Sequence, residues 1–139
     1  MRVEKQFSAD LAELPEILNW VRRQIEQTEL SDPEKMRVEL AMEEAIVNVI
    51  THAAVDHPLD FSLLCIQEPK SQIEFQLKDS GSPFNPLAHI GESQRELSIE
   101  EREPGGLGMT IMRKYMDVLL YRREENQNIL TLIKIINSS

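Results

Sequence analysis

Glu44 and Asn48 stand four residues apart in the run Ala41-Met42-Glu43-Glu44-Ala45-Ile46-Val47-Asn48-Val49-Ile50. On a helix that spacing stacks two side chains on one face. A carboxylate that takes a proton, one turn from an amide oxygen that holds a hard cation, suits phosphate chemistry run through magnesium. Thr51 and His52 extend the polar strip, and Val38, Ala41, Ala45 and Val49 line an adjacent apolar stripe. A polar group at such a border costs roughly 1–3 kcal/mol unless something pairs with it. The other reading of the same residues is the solvated side of an amphipathic helix.

Two further stretches carry chemistry. In Gln72–Asp79 the alternation is clean, with Ile73, Phe75 and Leu77 on one face and Gln72, Glu74, Gln76 and Lys78 on the other. The same parity turns Asp79 inward, just before Ser80-Gly81; an Asx-turn ending the strand is the alternative. Later, Pro104-Gly105-Gly106-Leu107-Gly108-Met109 runs into the helical pattern Ile111, Met112, Tyr115, Met116. Glycines at a helix start leave backbone N–H groups uncovered at the positive end of the dipole, where an anion can sit. Such a turn also occurs without any ligand, and the Gly-Lys-Ser/Thr ending of a P-loop is absent.

The elements that must hold these residues follow from the same rules. Residues 2–8 read as a strand. Asp10 then caps a helix with Leu11, Leu14, Leu18, Val21 and Ile25 at helical spacing and Pro15 in its first turns. Ser31 and Glu34 form a capping box that opens the central helix, which runs to about Ala54 before the Asp56-His57-Pro58 turn. Strands are predicted at 59–67 and from Gln72 to Asp79, and a closing hairpin at 118–122 and 129–136 around Glu125-Asn126-Gln127-Asn128. Ile129, Thr131, Ile133 and Ile135 line one face of the last strand. Short turns favour antiparallel pairing, and all three helices can cover one face of the sheet. The expected fold is α+β, a two-layer α/β sandwich in a single domain, 1–139.

Composition bounds the function. The chain has 139 residues, 41% of them hydrophobic, enough for one core. With a net charge of -9 and no continuous basic stripe, it is not expected to bind nucleic acid. The single Cys65 can form neither an internal disulfide nor a cysteine metal cluster. Met1-Arg2-Val3-Glu4-Lys5 lacks the apolar core of a signal peptide, and no stretch reaches the roughly 18 apolar residues of a membrane span. A cytoplasmic protein without membrane contact is expected.

Three separated pieces occur in one order: Glu44-Ala45-Ile46-Val47-Asn48 with Thr51-His52-Ala53, Asp79-Ser80-Gly81-Ser82-Pro83-Phe84, and Gly105-Gly106-Leu107-Gly108-Met109. The set resembles the nucleotide-binding signature of the histidine-kinase-like (Bergerat-fold) ATPases, and most closely their single-domain branch, the anti-sigma-factor serine/threonine kinases. Glu100-Glu101-Arg102 and Ile111-Met112 through Met116-Asp117 resemble that branch as well. The resemblance implies ATP and Mg2+ as cofactors, Glu44 as general base and Asn48 as the protein ligand to magnesium. It implies that Asp79 accepts from the adenine amino group, with Gly81 letting the base approach. Gly106, Gly108 and Met109 would donate backbone N–H groups to the phosphates, and residues 85–104 would form a nucleotide lid. Phe84, Gly105 and Leu107 complete the implied ATP site.

The implied activity is phosphorylation of an anti-sigma-factor antagonist protein, together with sequestration of a sigma factor. A homodimer is a further implied state, because many relatives pair. The first helix around Arg22 and Arg23 and the rim of the lid are candidate partner contacts, with a solvated helix face as the favoured reading of the two arginines. A nucleotide-gated binding module without kinase activity and a stand-alone ATP hydrolase are the alternatives. The chain departs from the wider superfamily in lacking a second glycine two residues after Gly81 and a Gly-Thr pair on the final strand.

Overall fold

The computed structural model describes residues 1–53, 60–89 and 106–136. The predicted end of the central helix at Ala54, the 56–58 turn, Gly105, the 100–102 triplet and most of the 85–104 lid lie outside the described residues.

Five strands form one antiparallel sheet: β1 Arg2–Ser8, β2 Asp60–Glu68, β3 Gln72–Asp79, β4 Val118–Glu124 and β5 Gln127–Ile135, ordered β1-β2-β3-β5-β4. Three helices, α1 Leu14–Glu26, α2 Asp32–Ala53 and α3 Gly106–Tyr115, pack their apolar sides onto one face of that sheet. The two-layer α+β sandwich expected from the sequence is the one observed.

Alternation in β3 is realised residue by residue: Ile73, Phe75, Leu77 and Asp79 are buried, and Gln72, Glu74, Gln76 and Lys78 are half-buried. Phe75 and Leu77 meet Val38, Ala41, Met42, Ala45 and Ile46 of α2 and Ile17, Val21 and Ile25 of α1 in the core. Each of the larger side chains contributes about 1.5–3 kcal/mol by leaving water. Phe7 of β1 adds an edge-to-face contact with Trp20, with ring centroids 6.0 Å apart, and so closes the far end.

Two boundaries differ from the sequence reading. Asp10 caps a 3-10 turn, Leu11–Glu13, accepting from the Ala12 N–H at 3.0 Å, and the α-helix begins only at Leu14. Pro15 explains the break: its ring would clash with the carbonyl of Leu11 in a continuous helix. Leu11 is consequently exposed, and Ile17 and Trp20 join Val21 and Ile25 in the core. At the other end, the hairpin turn is Glu125-Asn126, both at positive φ, as a two-residue turn of matching twist requires. Gln127 and Asn128 therefore belong to β5.

The face of β5 carrying Ile129, Thr131, Ile133 and Ile135 is the one away from the helices, since Leu130 and Leu132 enter the core. The cap at Ser31 is present, with its hydroxyl accepting from the Glu34 N–H at 3.3 Å, but Glu34 reaches back to the Ser31 hydroxyl, at 3.0 Å, rather than to its backbone N–H as in a full capping box. Among the described residues no helix is long and apolar enough to cross a membrane.

Candidate functional site

The polar strip of α2 ends over one end of the sheet's inner strands, where the last residue of β3 and the start of β5 lie side by side. A cavity there is lined by Asn48, Val49 and His52 of α2, Leu77 and Asp79 of β3, Tyr121 of β4, Asn128 and Leu130 of β5, and Ser82, Phe84 and Pro86 between β3 and α3. Val49, Leu77, Leu130 and Pro86 supply an apolar lining suited to a flat ring, and Asp79 supplies a hydrogen-bond acceptor. His52 and Phe84 stack with ring centroids 3.9 Å apart and planes at 16°, forming a continuous aromatic wall.

Both sequence readings of Asp79 hold together. Its Oδ1 accepts from the Gly81 N–H at 2.9 Å, an Asx-turn, while the residue is buried at the cavity wall as its strand parity requires. Gly81 is itself buried. Asn128 stands opposite Asp79 in the β3–β5 register and donates Nδ2–H to Asp79 Oδ1 at 3.0 Å.

Glu44 lies one turn before Asn48 on the same side of α2, and both are half-buried. Burial raises the Glu44 pKa above the ordinary carboxylate value, and the neighbouring Glu43 charge raises it further. A carboxylate whose pKa is raised is a stronger proton acceptor than an ordinary one. Gly106, Leu107, Gly108 and Met109 form the first turn of α3, which packs against α2. The first N–H groups of any α-helix have no partner within it and point outward along the axis.

The donor set fits a hard cation carried in with phosphates. No group of three or more His, Cys, Asp or Glu side chains is arranged to hold a metal among the described residues. Asn48 nonetheless lines the cavity, an amide is a type of group that can ligate a hard cation, and magnesium characteristically takes few protein ligands beside phosphate oxygens and water.

Asn48, Asp79 and Phe84 are thus brought together at one cavity, with the Gly81 N–H bonded to Asp79 and Glu44 one turn from Asn48. Asn128, Tyr121 and Arg123 were not singled out by the sequence. The signal for Asn128 is parity: counting back by two from Leu132 and Leu130 reaches it on the core side, provided the turn is two residues rather than four.

The comparisons with known proteins agree with the fold. The family model for the histidine kinase-like ATPase domain matches residues 7–134. The serine/threonine-protein kinase BtrW of Bordetella bronchiseptica is 29% identical over 94 residues, which are 67% of this chain and 65% of that relative's length. The chain therefore aligns with slightly under two thirds of that curated relative. A solved structure of the SiaB-SiaC complex from Pseudomonas aeruginosa contains a chain with the same fold: TM-score 0.56, 11% identity, covering 95% of this chain and 89% of the other.

Proposed function

The chain belongs to the histidine kinase-like ATPase domain family, and from that premise we propose that it is an ATP-dependent serine/threonine protein kinase. Its substrate in this reading is an anti-sigma-factor antagonist protein, and it also acts as an anti-sigma factor by sequestering a sigma factor. The observation that carries the reading is Glu44, held at a raised pKa one turn from Asn48, which lines the same cavity as Asp79. The likeness to a serine/threonine-protein kinase adds support.

Each residue then has one task. Asp79 accepts from the exocyclic amino group of adenine, and Val49, Leu77 and Leu130 exclude water around the ring. The Asn48 amide oxygen holds magnesium, which when bound neutralises charge on the phosphates. Backbone N–H groups of Gly106, Gly108 and Met109 receive the phosphate oxygens. Glu44 takes the proton from the attacking serine or threonine hydroxyl, so that group becomes the nucleophile as the γ-phosphoryl leaves ADP.

The test is transfer from γ-labelled ATP with magnesium into proteins of the native cell extract, comparing wild type with Glu44→Gln. Label on serine or threonine of one small protein, with wild type alone, supports the kinase and identifies its substrate. Nucleotide binding without labelling would favour a gated partner-binding module; steady release of free phosphate would favour a hydrolase.

A further inference from the structure

Five hydrogen bonds converge on the side chain of Asn128, which is only 6% exposed. Its Oδ1 accepts from the Tyr121 hydroxyl at 2.5 Å, from Arg123 Nη1 at 3.2 Å and from the Phe84 N–H at 3.3 Å. Its Nδ2 donates to Asp79 Oδ1 at 3.0 Å and to the Ser82 carbonyl at 2.9 Å. The partners fix which way the amide points, because a backbone N–H and a guanidinium can only donate and a carbonyl can only accept. Arg123 Nη1 also donates to the Gly81 carbonyl at 2.7 Å, tying the turn after β3 to β4.

The consequence falls on Asp79. With Asn128 Nδ2 and the Gly81 N–H both on Oδ1, the carboxylate cannot turn about its last bond without losing two hydrogen bonds. Its Oδ2 accepts none from the described residues, and Asp79 lines the cavity. A carboxylate locked in this way offers a ligand one acceptor in one direction. Adenine meets it with the N6 amino donor; a purine carrying O6 would set acceptor against acceptor.

We infer that Asn128 is a positioning residue for base selection: its Tyr121- and Arg123-anchored amide holds Asp79 so that the site takes a 6-amino purine and rejects a 6-oxo purine. The inference rests on reading the cavity as the adenine site. It also names the side chain that holds the aspartate in a chain whose final strand has no Gly-Thr pair.

The experiment is equilibrium binding of ATP and inosine triphosphate, with magnesium, to wild type, Asn128→Ala and Tyr121→Phe, each checked for folding by thermal unfolding. Wild type should prefer ATP. In Asn128→Ala the ATP affinity should fall about tenfold or more and the ATP-over-inosine preference should collapse with it, the effect of freeing a buried acceptor from its partner. Tyr121→Phe removes one donor from the amide and should lower the preference by about two- to fivefold; it carries the test if Asn128→Ala does not fold. A folded Asn128→Ala, or failing that Tyr121→Phe, with weaker binding of both nucleotides but an unchanged preference would mean a merely structural role and overturn the inference alone. Failure of wild type to bind ATP would overturn both the inference and the reading beneath it.

Discussion

Asp79 and Asn128, 49 residues apart in the chain, face each other across β3 and β5 and share a 3.0 Å hydrogen bond at the wall of the cavity. The bond engages Oδ1 of the aspartate, and Oδ2 accepts none from the described residues. Asp79→Asn should keep an oxygen toward Asn128 and Gly81 while presenting an N–H donor to the base. Competition binding should then find ATP weakened by about tenfold or more, and inosine triphosphate favoured over it. Retained preference for ATP would remove Asp79 from base recognition.

Glu44→Gln keeps the shape of the side chain and removes its ability to take a proton. ATP affinity should stay within about twofold of wild type, whereas phosphoryl transfer to the protein substrate should drop by about 100-fold or more, the usual worth of a positioned base. Single-turnover transfer from γ-labelled ATP measures this. Full transfer by the variant would exclude Glu44 as the base.

The raised pKa of Glu44 sets a pH signature. Transfer should decline on the acid side at a higher pH than an unperturbed glutamate would give, because the base must be ionised, and Glu43→Gln should move that limb to lower pH by removing the second cause of the shift. Stability responds in the opposite sense. A carboxyl whose folded pKa is raised contributes fully below its unfolded pKa, and that contribution is lost as pH rises through the folded value. Glu44→Gln should therefore unfold at a higher temperature than wild type at neutral pH, with the gap closing in acid. Thermal scans across pH test the sign.

Asn48→Ala removes the amide that α2 contributes to the cavity lining. Nucleotide affinity measured with magnesium should fall about tenfold, while residual binding in chelator should be the same in variant and wild type. Equal losses with and without the metal would assign Asn48 to nucleotide contact alone.

Cys65 is fully buried on β2 between Val3 and Phe75, and burial pushes its thiol up to about 12, a smaller effect of the N-terminal amine opposing this. The native protein should resist thiol reagents at neutral pH and become reactive only on unfolding. Rapid modification under native conditions would show that β2 opens locally.

Much of the site is written in local spacing. Glu44 and Asn48 are four apart on a helix opened by the Ser31–Glu34 cap, and the alternation of Ile73, Phe75 and Leu77 carries Asp79 to the core side. These relations depend only on the period of one element, so the sequence contains them. The glycine run likewise begins α3 where its residues led one to expect.

Register and long-range pairing are a different matter. The sequence alone left Asn128 in a loop, and only the two-residue turn at Glu125-Asn126 draws it into β5 opposite Asp79. The contacts of Tyr121, Arg123 and Phe84 with its amide join β4, β5 and the segment after β3. Shifting a strand by one residue would turn Asn128 to the outer face and break all of them. The period of each strand fixed which residues share a face; the pairing of strands distant in sequence decided which of those faces meet around the cavity.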